Sequence, residues 1–346
     1  MSGVRHVTVT EDEAGQRLDR WLRGKFPHLP QGRIERMCRK GELRVDGGRV
    51  KASRRLAAGE TVRIPPLPPS RPPEAAAAPV VGAGEAEAIR RAVLYRDEDI
   101  LVIDKPPGLP VQGGTKQRLH LDALAPALQF DAAEPPRLVH RLDKDTSGVL
   151  VLARNARAAR ALARAFGNRD VRKIYWAAVA GYPKPAKGTI RYGLVKAPTG
   201  QGEKMLTVHP DEIEATEGAR RAVTDYAVID HLGNRVSWVA LVPVTGRTHQ
   251  LRAHMAAIGH PIVGDGKYGT RGREKRETGW GSALGGDISR KLHLHARSLS
   301  LPHPTTGRRV SFTAPLPGHM RRTWSYFGWA ENDAPADPFF REEGRA

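Results

Sequence analysis

The residues best placed for chemistry lie in the run Arg137 to Asn155, RLVHRLDKDTSGVLVLARN. Charged and polar side chains fill Asp143 to Ser147, and an apolar strand, Val149 to Leu152, follows directly. A carboxylate on a loop that abuts a buried strand can act as a base or a nucleophile. An Asp-rich run is also ordinary turn chemistry, so composition alone leaves both readings open. Two further segments offer partners. Asn168 to Gly181 contains a strand on which Lys173, Tyr175 and Ala177 share one face. Val236 to Pro243 is another strand, followed by the turn Val244-Thr245-Gly246-Arg247. A helix expected from about Thr248, with Thr248 as its cap, carries Arg252 one turn in and an apolar stripe of Leu251, Met255 and Ile258. Taken singly, Arg247 and Arg252 also read as surface or structural ion pairs, and Tyr175 as a half-buried strand aromatic.

These segments belong to a chain of 346 residues with 56 Lys+Arg against 37 Asp+Glu, a formal charge of +19. At ~150 residues per domain the length suggests two domains. The sequence pI near 10.5 makes a polyanion the first partner to consider. No stretch approaches the ~20 apolar residues of a membrane-spanning helix. The opening MSGVRHVTVTEDEAGQ has no apolar signal core, so a cytoplasmic protein is expected. A single cysteine, Cys38, excludes an internal disulfide framework and a cysteine-based zinc cluster. Seven prolines between Pro65 and Pro79 cannot join a helix interior or a sheet ladder. The expected organisation is a small module over 1–65, a Pro/Ala-rich linker over 66–90, a large domain over 91–330 and a loosely held acidic tail over 331–346. Residues 1–72 hold 16 basic and 8 acidic side chains, so charge is concentrated in the small module.

That module pairs two short helices. In Gln16 to Lys25, Leu18, Trp21 and Leu22 form one apolar face, with Arg17, Arg20 and Arg23 turned to solvent. In Gln31 to Arg39, Ile34, Met37 and Cys38 point inward, while Arg33, Arg36, Arg39 and Lys40 point outward. Gly41 stops the second helix, and ELRVDGGRV reads as two short strands about an Asp46-Gly47-Gly48 turn. The basic faces fit either plain solvation or a surface that tracks phosphates. The pattern Arg17-Leu18-Asp19 with Leu22, the basic helix, Gly41–Gly47 and Gly59-Glu60-Thr61-Val62 resembles the S4 RNA-binding domain. The resemblance implies that Arg33, Arg36, Arg39 and Lys40 bind structured RNA.

The large domain carries five motifs in order: DKPPGLPV at Asp104–Val111, HRLDKDTSG at His140–Gly148, KIYWA at Lys173–Ala177, TGRTHQLRAHMAAIGHPIVGD at Thr245–Asp265 and LHLHARSLSLPHP at Leu292–Pro304. Together they resemble the RluA-type pseudouridine synthases over about Val93 to Pro317. The resemblance implies an isomerisation that breaks the N1–C1′ bond of a uridine and rejoins the base through C5. By motif position Asp143 is the carboxylate that reacts at the sugar, covalently or as the base of an elimination. Tyr175 stacks beneath the base and is a candidate for removing the C5 proton, and Arg252 pairs with Asp143. Arg141 fills the space that the extruded uridine leaves. His140 and Arg247 are placed on the RNA side, Arg247 against phosphate. Asp145 falls at a variable motif position and receives no role.

The implied fold is α+β: a central, mostly antiparallel mixed sheet with helices and a basic cleft across it, preceded by the S4-like domain. Isomerisation requires no redox cofactor, nucleotide or metal, so none is expected. Structured RNA is the expected partner, ribosomal RNA of the large subunit first and transfer RNA second, acted on by a monomer with no membrane association. Three rival classes make different demands on these residues. A non-catalytic S4-bearing assembly factor would lack Asp143, Tyr175 or Arg252. A hydrolytic glycosidase would need paired carboxylates. A metal-dependent enzyme could use His293 and His295, though alternate positions on a strand explain that pair. Two Gly- and charge-rich segments, Lys184–Glu217 and Thr270–Asp287, read as loops that choose the RNA site or as tolerated insertions.

Overall fold

The computed structural model describes residues 3–67, 81–113, 119–197, 204–269, 288–335 and 337–339. The chain divides into two units, Met1–Val80 and Val81–Ala346.

The small unit contains β1 (Arg5–Thr8), α1 (Leu18–Lys25), α2 (Gln31–Lys40), β2 (Arg44–Val45), β3 (Gly48–Arg49) and β4 (Thr61–Ile64), with sheet order β1-β4-β2-β3. Leu18, Trp21, Leu22, Ile34 and Met37 from the two helices meet Val45, Val62 and Ile64 of the sheet in one core. The three-and-four spacing of apolar residues allows each helix to bury one stripe there. Gly41, at φ 70°, ends α2 in the left-handed conformation that glycine adopts without a Cβ penalty. The hairpin turn is tighter than expected. Asp46 and Gly47 occupy it at φ 44° and 74°, the pattern of a type I′ turn, while Gly48 has already joined β3. Arg17 is not free in solvent: its Nε donates to Oδ1 of buried Asp19 at 3.0 Å. A buried carboxylate must be paired, and Arg17 is the nearest cation that can do it.

The large unit begins with α3 (Ala83–Arg91), inside the stretch expected to be linker. Its sequence AGEAEAIRR is rich in strong helix formers, and Ile89 is buried in the unit's core. Then follow β5 (Val93–Arg96), β6 (Ile100–Lys105), α4 (Leu121–Leu124), β7 (Arg137–Leu138), β8 (Ser147–Ala153), α5 (Ala156–Asn168), β9 (Arg172–Ala180), β10 (Lys187–Lys196), β11 (Met205–Val208), β12 (Arg220–Leu232), β13 (Val236–Pro243), α6 (Gln250–Ala257), β14 (Leu294–Pro302), β15 (Arg309–Thr313) and α7 (Gly318–Phe327). The sheet order is β11-β10-β12-β13-β9-β14-β8-β6-β5, with β15 paired to β14 and β7 to β8. The β14–β8 pairing is parallel and the other pairings are antiparallel, which gives the mixed, mostly antiparallel sheet.

Both faces of this sheet are covered. In β6, Leu101 and Ile103 pack toward α3, α4 and α6, while Ile100 and Val102 pack toward α5. All four are fully buried, worth roughly 1.5–3 kcal/mol each. In β9, Tyr175 and Ala177 share the first face, and Ile174 and Trp176 face α7 through Trp238 and Trp324. The period-two alternation of a strand thus sends Tyr175 to the same face as α6.

Two further segments differ from the sequence expectation. Part of Lys184–Glu217 is sheet, because β10 pairs with β12 along Lys187–Leu194 and β11 extends the edge. Buried Ile190 and Leu194 anchor these strands despite their charged neighbours. The described residues of 331–339 are also held more firmly than a loose tail. Glu331 meets Arg297 at 2.7 Å, and Asp337 meets Arg172 at 2.6 Å. The second expected insertion, 270–287, lies outside the described residues.

Candidate active site

Two of the sequence motifs meet behind the carboxylate loop. The Lys105 ammonium is fully buried and donates to the carbonyls of Pro106, Leu109 and Lys144 at 2.9, 2.9 and 3.0 Å. The Gly108 N–H donates to the same Lys144 carbonyl. Burial pushes Lys105 down to about 7, against the opposing charges of Asp145, Asp143 and Asp104. One residue beyond the loop, Gly148 sits at φ 109°, where an added Cβ would lie 2.2 Å from the Ala296 carbonyl oxygen. That close approach lets β8 dock in parallel on β14 and fixes where the loop ends.

The loop opens onto a cleft of about 350 Å³. Asp143, Tyr175, Arg252, Arg141, His140 and Arg247 all line it, although they come from three separated stretches of sequence. Among the described residues lining the cleft, Asp143 is the one carboxylate. Its side chain is 26% exposed, with Oδ2 3.7 Å from Nη1 of Arg252. Arg252 is held far more tightly by Asp265. Nε and Nη2 each donate to that carboxylate at 2.7 Å, and the Asp265 side chain is wholly buried. Burial alone would raise Asp265, but the two Arg252 bonds, its charge and the Tyr268 and Lys267 backbone N–H groups hold it below the ordinary carboxylate value. The Arg252 guanidinium also lies 5.3 Å from the centre of the Tyr268 ring. Asp265 closes the motif that contains Arg252, yet no spacing rule points the two at each other. Their contact depends on the chain turning back after α6.

The start of α6 differs from the sequence expectation. Thr248 does not cap it; the cap is His249, at φ 51°, and the helix begins at Gln250. The Gln250 amide does the fastening. Its Oε1 accepts from the Thr245 hydroxyl and the Arg247 N–H, while its Nε2 donates to the Val223 carbonyl and Thr224 Oγ1. A buried amide with four partners holds the 245–247 turn against β12 more firmly than a solvent-facing threonine cap could. His249 is buried as well, and its Nδ1 is hydrogen-bonded with Tyr268 Oη at 3.0 Å. Burial lowers its pKa, with Asp143 acting in the opposite direction.

Tyr175 projects into the cleft from β9. Burial and then the Asp143 charge raise its pKa, so it rests as a phenol. His140 lies in the cleft wall, stacked on Phe166, where its Nε2 accepts the Val151 N–H at 3.0 Å. Burial and nearby Lys173 push His140 down to about 3, so the ring is neutral and fastens the loop to β8. Arg141 is exposed at the rim, and no hydrogen bond or ion pair holds it among the described residues. Arg247 is exposed too, with Nε donating to the Arg221 carbonyl at 3.3 Å. His293 and His295 are fully buried away from the cleft. His293 bonds with Lys291 O and Thr323 Oγ1, and His295 with Ser147 Oγ and Ala314 O.

In the small unit, Arg33 and Lys40 line a groove of about 730 Å³ together with Arg44 and Arg63. Arg36 and Arg39 are exposed on the same helix but do not line that groove.

The cleft thus brings one carboxylate beside an arginine fixed by Asp265 and a buried tyrosine, on a mixed sheet. Comparison with known proteins supplies the family. The family model of RNA pseudouridylate synthase matches residues 99–257. The "Ribosomal large subunit pseudouridine synthase C" of Salmonella typhimurium is 36% identical over 92% of this chain and 95% of its own length. Its counterpart in Escherichia coli strain K12 is also 36% identical over the same shares. A solved structure, human RNA pseudouridylate synthase domain containing 4, shares 32% identity at a TM-score of 0.55, covering 70% of this chain and 95% of that one. The chain therefore belongs to the RluA-type RNA pseudouridylate synthases, and it is an RNA pseudouridine synthase. Among the described residues no helix is long and apolar enough to cross a membrane.

Proposed function

We propose that this enzyme isomerises uridine in the ribosomal RNA of the large subunit, with Asp143 as the reacting carboxylate. The observation that carries the site assignment is that Asp143, Tyr175, Arg252 and Arg141 line one cleft. The substrate assignment rests on relatives named for the ribosomal large subunit that align over 92% of the chain.

A uridine in stacked RNA cannot present C1′ to a side chain, so it must leave the stack at a cost of a few kcal/mol. Arg141, unpaired at the rim, is free to enter the vacated space, where its planar guanidinium can stack and bond neighbouring bases. In the cleft Asp143 meets the sugar, attacking C1′ or serving as the base of an elimination. Arg252, locked on Asp265, presents its remaining Nη1 to Asp143 and favours the charged carboxylate. Tyr175 is first a stacking platform for the base. To take the C5 proton it would have to give up its own, which burial and the Asp143 charge oppose. Arg247 stands where a phosphate would pass.

The small unit fits an S4-like RNA-binding module. Its helix pair and hairpin follow the motif order, and an alignment over 92% of the chain must extend into it. Arg33 and Lys40, with Arg44 and Arg63 added by the fold, form a groove suited to phosphates. Tritium release from C5-labelled uridine in large-subunit ribosomal RNA tests the reading. Release by the wild type and its loss in Asp143→Asn are expected, and no release by the wild type from that RNA would overturn the proposed substrate.

A further inference from the structure

A second cavity opens on the cleft's face of the sheet, at the other end of α6. Its volume is about 380 Å³, and Tyr192, Lys184, Arg191, His209, Tyr226 and His260 are among the residues that line it. The sheet register relates it to the cleft. Tyr175 pairs with Leu241, and Leu241 pairs with Tyr226, so Tyr226 lies two strands from Tyr175. All three share one core face, against which Tyr192 also packs. Two strand spacings are about 10 Å, within reach of a nucleotide near the one in the cleft. The turn before α6 and the helix's first residues line the cleft, while Ile258 and His260, just past its end, line the cavity.

Its chemistry is that of a nucleotide site. Among the described residues no carboxylate lines it. Lys184 and Arg191 are exposed, and no hydrogen bond or ion pair holds either among the described residues. Tyr192 is half-buried and meets the His209 and His254 rings at 76° and 65°, so neither stacks on it. Tyr226 Oη donates to the Pro185 carbonyl and closes one wall. An aromatic ring beside two free cations is the combination that grips an unpaired base and its phosphate, and unpaired nucleotides are where proteins read RNA sequence.

We propose that this cavity holds a second nucleotide of the RNA substrate, its base against Tyr192 and its phosphate between Lys184 and Arg191. It thereby helps select which uridine reaches Asp143. The inference rests on the proposed ribosomal substrate. Its test uses the full chain and a C5-tritiated transcript of large-subunit ribosomal RNA, read by turnover and separately by equilibrium binding. Tyr192→Leu should raise KM about tenfold, within the range of one lost base stack, while kcat stays within about twofold. Tyr192→Phe should restore the wild-type KM. Lys184→Ala with Arg191→Ala should flatten the log–log salt slope of binding by roughly 1.4. Arg322→Ala, an exposed cation on α7 behind the sheet, is the control. An unchanged KM in Tyr192→Leu, or an unchanged salt slope in the double variant, overturns the proposal. So does a fall in kcat at constant KM, which marks a disturbed cleft rather than a lost nucleotide. A wild type that binds the transcript but releases no tritium overturns the substrate reading instead, and the binding measurements still decide the cavity.

Discussion

The helices of the small unit and α6 of the large unit solve opposite problems. In α1 and α2 the apolar residues point to one core, and the arginines of α2 are left to water. In α6, Gln250, Arg252 and His254 are as buried as Leu251 and Met255. An amphipathic helix is stabilised by the face it hides, so its polar face is free to meet a partner and tolerates change. A helix buried all round must pair its charged groups internally, as Arg252 does with Asp265, because an unpaired buried charge costs several kcal/mol. The His254 ring instead stays neutral, without a hydrogen-bond partner among the described residues. The first kind suits adjustable contact with a polyanion. The second suits a guanidinium that must stand still beside the carboxylate proposed to react.

The largest expected effect sets chemistry apart from binding. Asp143→Asn should reduce pseudouridine formation below a few per cent while RNA affinity changes by no more than a few fold, since volume and positive charge are kept. Asp145→Asn, exposed in the same loop, should stay active. Retained activity in Asp143→Asn would falsify the catalytic assignment.

Next is the lock behind the cleft. Asp265→Ala leaves the Arg252 guanidinium buried without its two bonds, and about 3–5 kcal/mol of stability should go with it. Urea titration reads the loss, and kcat should fall alongside it as Arg252 shifts from Asp143. Arg36→Ala on the exposed face of α2 should change stability by less than about 0.5 kcal/mol. Equal effects of the two substitutions would erase the contrast between the helices.

Acid should act first on the large unit. Burial pushes His293 and His295 down to about 3 from an ordinary 6.5. Above pH 6.5 both states are neutral and the stability is fully present. As pH falls toward 3 the unfolded chain takes up protons that the native rings refuse. Each ring then costs about 2 kcal/mol at pH 5. Unfolding followed by urea between pH 7 and 4 should show this decline, and replacing His293 with Gln should reduce its slope.

The smallest effect concerns the basic face of α2. Replacing Arg33, Arg36, Arg39 and Lys40 by Gln should lower the log–log salt slope of RNA binding by roughly three, while kcat at saturating RNA is kept. An unchanged slope would mean that this face does not meet phosphate in the natural complex.

Where pattern and burial agree, the sequence was enough. The apolar stripes of α1 and α2, the two-sided burial of Ile100–Ile103, and the strands at Arg172–Ala180 and Val236–Pro243 follow from local spacing alone. So does the family, because its five motifs keep their order. Tertiary structure decided what local spacing cannot express. Asp265 as the close partner of Arg252, Gln250 in place of a Thr248 cap, and the Lys105 ammonium that ties two motif loops together are contacts between segments separated along the chain or turned inward against expectation. It also turned a supposed insertion into β10 and β11, and part of a supposed linker into α3. The physical reason is common to these cases. A periodic apolar pattern is read over a few residues, whereas the partner of a buried polar group is chosen by whichever distant segment the fold brings within hydrogen-bonding distance.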